Sequence, residues 1–144
     1  MSFYSKITGL SIFIFLVISC KKAPNKEEYI WKPFEVTATA YNSLASQTSS
    51  TPNITAWGDT LVPGMKCVAV SRNLISLGIT HNTQIKIEGL EGVYIVNDKM
   101  NKKWRNRIDI YMGVDVVKAK EWGKRKKKIY YRVKKDSLNT KSKQ

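Results

Sequence analysis

GVYIVNDKMNKKWRNRIDIYM, residues 92–112, reads as two strands, Val93–Asp98 and Arg107–Met112, joined by the polar, basic connection Lys99–Asn106. Each strand carries one carboxylate among β-formers. Asp98 closes the first and Asp109 sits inside Arg-Ile-Asp-Ile-Tyr. An acidic side chain is unfavourable within a strand and costly to bury without a partner. Period-2 alternation turns Asp109 away from Ile108 and Ile110, towards a cleft or towards solvent. An exposed strand Asp and a functional carboxylate both satisfy that spacing.

The rest of the chain sets the scale. With 144 residues it can build one domain with a real core, and 42% hydrophobic residues argue against disorder. The formal charge of +14 calls for an anionic partner: nucleic acid, a membrane surface or an anionic polymer.

The N-terminus chooses among these. Lys6 precedes the apolar run Leu10–Ile18, followed by Ser19 and Cys20. This is the pattern of a secretory signal, and the run is too short to span a bilayer comfortably. Val17-Ile-Ser-Cys20 also resembles the lipobox of bacterial lipoproteins, in which the cysteine is lipidated and becomes the first mature residue. Subtracting Lys6 alone from +14 leaves +13 on a chain starting at Cys20. The expectation is a signal peptide over 1–19 and a tether over 20–33, with Cys20 as membrane anchor on the periplasmic side of a bacterial cell envelope. Export removes nucleic acid as a partner. A basic nucleic-acid binder would require an unprocessed Cys20.

With Cys20 lipidated, Cys67 is unpaired, and in Lys66-Cys-Val-Ala-Val70 it is most simply a small buried hydrophobe. A nucleophilic thiol would need His81, the sole histidine. No metal-binding cysteine pair, H-E-x-x-H or phosphate-cradling glycine loop occurs, so neither metal nor cofactor is expected.

Along the chain, Phe34–Tyr41 alternates and predicts a first strand. Tyr29-Ile-Trp31, within the tether, could pack back on the domain. Asn42–Thr55 is a hydroxyl- and amide-rich loop, suited either to the surface or to sugar hydroxyls. Further strands are expected at Lys66–Val70, Thr83–Glu88 and Lys128–Val133. Arg72–Leu77 predicts a helical turn. Val114–Trp122 predicts a helix capped by Asp115 and stopped by Gly123. The lysine run 124–128 reads as a solvated strand end, able to touch lipid or wall polymer, and the tail 136–144 as disordered. Six short strands and one or two short helices over 34–135 predict a mainly β, small closed barrel.

Taken in order, Val36-Thr-Ala-Thr-Ala-Tyr41, Thr55-Ala-Trp-Gly58, Val68-Ala-Val70, Leu77-Gly78, Asp98, Arg107-Ile-Asp-Ile-Tyr111 and Ala119-Lys-Glu-Trp-Gly123 resemble the 3D (three-aspartate) domain. That family is a double-psi β-barrel, as in membrane-bound lytic transglycosylase A, and is related to rare lipoprotein A. The resemblance implies non-hydrolytic cleavage of peptidoglycan glycan strands, with Asp109 as the catalytic aspartate and Asp98 as its support. Two departures stand out. Ser71 occupies the place of the first aspartate, and a glycine-poor Lys99–Trp104 follows Asp98.

The chemistry needs one carboxyl group and no cofactor, and a monomer suffices. A protonated Asp109 would release the leaving sugar oxygen and then, as base, take the C6 hydroxyl proton of N-acetylmuramic acid. Asp98 and burial would raise its pKa, while the cationic connection would lower it. Thr39, Tyr41, Thr55 and Trp57 are the candidate sugar contacts. Lys102, Arg105 and Arg107 are candidates for stem-peptide carboxylates. Trp57 could equally pack in the core, and Trp104, amid charges, is expected at the surface. A non-catalytic barrel that binds glycan or a protein is the alternative.

Overall fold

The computed structural model describes residues 27–44 and 51–135. The expectations for the signal segment, for Cys20, for the first part of the tether and for the tail from Asp136 lie outside the described residues. Six strands form a closed barrel with two short helices, the mainly β architecture expected. The strands are β1 (Tyr29–Tyr41), β2 (Cys67–Val70), β3 (Gln84–Ile87), β4 (Tyr94–Lys99), β5 (Arg107–Tyr111) and β6 (Arg125–Lys134). Helix α1 covers Arg72–Ser76 and α2 covers Val116–Trp122.

Around the barrel the order is β1-β5-β2-β4-β3-β6, with β6 returning to β1. The β1–β5 and β2–β4 pairs are parallel and the others antiparallel. Alternation sorts the side chains. Val36, Ala38, Val68, Val70, Val96, Ile108, Ile110 and Ile129 pack inside the barrel and are all but inaccessible. Their neighbours, Thr37, Thr39 and Tyr41 on β1 and Arg107, Asp109 and Tyr111 on β5, therefore stand on the outer face.

Two strands are longer than the sequence predicts. β1 begins at Tyr29, so Tyr29–Pro33 belongs to the sheet and not to the tether. Pro33 is the last residue of the expected tether. Here it lies where β1 pairs with β6 alone, because β5 joins only from Thr37, and there a missing N–H costs the ladder little. β6 begins at Arg125, which brings most of the lysine run into the strand opposite Val36–Ala38. The ends of α2 follow the expected logic. Asp115 accepts a hydrogen bond from the Lys118 amide at 2.9 Å, and Gly123 takes a positive φ of 60° just beyond Trp122.

Candidate functional site

A one-residue irregularity makes the site. β2 pairs with β4 through Val68↔Val96 and then Ala69↔Asp98, so Asn97 is the extra residue of a β-bulge. In an unbroken strand Asp98 would share the inward face of Val96. The bulge shifts it by one and brings it opposite the outward-facing Ala69. β5 meets the same residue from the other side, with Asp109 opposite Ala69, and β1 adds Thr39 opposite Asp109. Thr39, Asp109, Ala69 and Asp98 thus form one row across four strands. The two carboxylates are two strand spacings apart, roughly 9–10 Å between backbones, with only a methyl group between them.

The segment after Asn53 folds across this outer face. Leu61 packs on Cys67 and Tyr111, with Tyr41 beside them at 5.4 Å from the Tyr111 ring. The Ala56 amide donates to Asp98 Oδ1 at 2.8 Å, and the Lys99 amide donates to the same oxygen at 2.7 Å. Asp98 therefore holds the covering segment on the sheet. Ser43 Oγ and the Tyr111 hydroxyl share a hydrogen bond of 2.8 Å, and Asn42 ties β1 to the Met112–Asp115 turn through three carbonyls.

Under this cover Asp109 Oδ1 and the Tyr41 hydroxyl are both buried and have no hydrogen-bond partner. Buried polar atoms are nearly always satisfied, and although Asn97 Oδ1 and Trp122 Nε1 are also orphaned, two orphans on one outer face single it out as the candidate site. The Asp109 carboxyl is pushed up from its ordinary value, first by burial. The neighbouring Thr39 hydroxyl and the Arg107 charge oppose that, and Asp98 adds a smaller push upward. Burial also raises the Tyr41 hydroxyl, with Asp98 and Asp109 among the charges that add to it. Both expected causes, burial and Asp98, act in the expected direction, with burial the larger.

The other predicted residues fall in three places. Thr39, Tyr41 and Arg107 share the Asp109 face. Thr55 is buried, and its hydroxyl accepts from the Asp59 amide at 3.0 Å and the Trp57 amide at 3.3 Å, shaping the covering turn. Trp57 is half-buried against the core. Its ring stacks on His81 at 5.0 Å, with Lys99 Nζ 5.1 Å from its centroid. Lys102 and Arg105 line a shallow depression with Arg72 and Trp104, apart from Asp109. Trp104 is half-buried rather than free at the surface, because the Arg107 guanidinium lies 3.7 Å over its ring.

Ser71, where the resemblance implies an aspartate, is fully buried. Its hydroxyl accepts from the Arg107 amide and donates to Asn73 Oδ1, joining the start of β5 to α1. Cys67 is a buried free thiol, pushed up to about 11 chiefly by burial, so it is protonated at neutral pH. His81 bonds Asp59 at 2.6 Å instead. Sequence reasoning missed Tyr111 as a site residue, although its place two residues beyond Asp109 puts it on the same face. The Ala56 amide, being backbone, left no sequence signal.

No family model matches the chain, and no curated protein matches it. Among solved structures it is similar to apo-Clavibacter michiganensis expansin, with 18% identity and a TM-score of 0.46. That likeness covers 72% of this chain and 52% of the other, about half its length. At such values it decides neither substrate nor activity.

Proposed function

We propose that the chain is a lipid-anchored cell-wall protein that cleaves peptidoglycan glycan strands as a lytic transglycosylase. Asp109 is its single acid/base. The observation that carries this reading is the orphaned pair, Asp109 Oδ1 and the Tyr41 hydroxyl, buried on one outer face beside a carboxyl whose pKa is raised. The ordered motifs resembling the three-aspartate domain support it, and so does the lipobox-like sequence before Cys20.

In this reading a protonated Asp109 gives its proton to the glycosidic oxygen as the bond from muramyl C1 breaks. The C6 hydroxyl then attacks C1, and its proton returns to Asp109 as the 1,6-anhydro ring closes. No water is consumed and the carboxyl is regenerated. Asp98 acts by holding the covering segment through Ala56, with a small electrostatic contribution to its neighbour. Thr39 and Tyr41 flank the acid. Arg107 lies beside it, and Lys102 and Arg105 reach stem-peptide carboxylates further out.

A second reading, a non-catalytic barrel that binds glycan or a protein, is favoured by one observation. Four well-formed cavities among the described residues are lined by neither Asp98 nor Asp109. The two readings part at Asp109→Asn. General acid–base help is worth about 10²–10⁴-fold in rate, so the enzyme reading expects release of muropeptides from purified sacculi to fall by that factor while sacculus binding persists. Equal release by the two proteins would remove the catalytic role.

A further inference from the structure

The far end of the β1–β6 pair carries a second surface. Tyr29–Pro33 of β1 pairs with β6 alone, and Trp31 lies eight residues, roughly 26 Å of strand, from Thr39 in the Ala69 row. Tyr29, Trp31 and Tyr130 are exposed there at 38%, 37% and 38%. Tyr29 and Trp31 alternate along β1, and Tyr130 lies opposite Pro33 on β6. The three rings therefore step along roughly 13 Å of sheet. Cations sit among them. Lys86 Nζ is 4.6 Å from the Trp31 centroid, the Arg132 guanidinium is 3.9 Å from that of Tyr29, and Lys128 is exposed further along β6. The nearby acids are Glu35, opposite Lys128, Glu27, which bonds Lys134 and the Tyr29 hydroxyl, Glu28, which pairs with Lys135, and Glu88, which accepts from the Lys128 amide.

We propose that this face docks on an anionic lipid bilayer. Tyrosine and tryptophan rings with a polar edge suit the headgroup level of a membrane, and lysine and arginine beside them attract anionic headgroups. A cation already lies over each of the Tyr29 and Trp31 rings, which argues against a sugar ring stacking on them. The chain's path agrees. This agreement rests on the lipid anchor of the proposed function: Cys20 lies nine residues before Tyr29. Nine extended residues reach no further than roughly 30 Å, and the chain then enters the sheet at Tyr29, on this face.

The test reconstitutes the full chain in vesicles of phosphatidylcholine with phosphatidylglycerol, carrying brominated acyl chains that quench tryptophan. Trp31→Phe should remove the quenched emission and Trp57→Phe should leave it. Quenching should fall at least twofold in pure phosphatidylcholine. It should fall likewise in Lys86→Glu/Lys128→Glu, whose circular dichroism should match wild type, since each basic residue near an anionic surface is worth about fivefold in partitioning. Unquenched Trp31, or equal quenching in both lipids, would overturn the proposal. So would protection of the Tyr29–Lys32 amides from hydrogen exchange by glycan strands and not by vesicles, which would make the face a glycan surface. Docking does not depend on Asp109, so Asp109→Asn should dock as wild type does.

Discussion

Asp109 is buried enough to hold its proton above the ordinary carboxylate range, yet one oxygen has nothing to bond. A carboxyl whose folded pKa is raised favours the folded state while protonated and opposes it once ionised. Its stabilising effect is full below the unfolded pKa, close to 3.8, and is lost as pH rises through the higher folded value. Asp109→Asn removes the ionisation and keeps the shape. The variant should melt above wild type at neutral pH, and the gap should close as pH falls towards 3.8. A gap that ignores pH would mean that Asp109 is solvated. Its outward orientation was legible, because two isoleucines flank it and alternation leaves no other face. Its unsatisfied oxygen was not legible, because that depends on Leu61, Tyr41 and a covering segment distant in sequence.

At the scale of elements the bulge at Asn97 matters most. It moves one carboxylate from the core side to the outer side of β4, opposite the residue that Asp109 also faces. Nothing in Val-Tyr-Ile-Val-Asn-Asp announces a bulge, so a sequence reading could pair Asp98 with Asp109 only through the family resemblance. β1 teaches the same lesson from the other side. Pro33 disguised half a strand as tether, because the sequence does not reveal that this half is paired on one side only. The cover over the site depends on Asp98 accepting from Ala56 and Lys99. Asp98→Ala should cost about 1–2 kcal/mol, the lower part of the range for a charge-assisted bond, since water can reach Ala56. Hydrogen exchange should quicken at Ala56–Asp59 and stay unchanged in β6. Unaltered exchange at Ala56 would show that the segment is held by Leu61 alone.

The whole molecule is a small barrel with +14 of formal charge, an acidic row that meets β1 at Thr39 and an aromatic, basic face at the other end of that strand. Composition alone points to an anionic partner but not to the face that would meet it, because basic residues stand on several strands: Lys126 on β6 and Arg107 on β5 both lie opposite Thr37, while Lys86 lies on β3. Binding to isolated sacculi should weaken steeply between low and physiological ionic strength, where exposed charges are screened beyond about 8 Å. Salt-independent retention would shift the weight to hydrogen bonds and ring contacts. The central claim, that Asp109 closes a 1,6-anhydro ring on muramic acid, is tested most directly by mass spectrometry of the muropeptides that the wild-type protein releases from purified peptidoglycan. The account predicts 1,6-anhydromuramyl ends, absent with Asp109→Asn. Reducing ends, or no release where the protein binds sacculi, would contradict it.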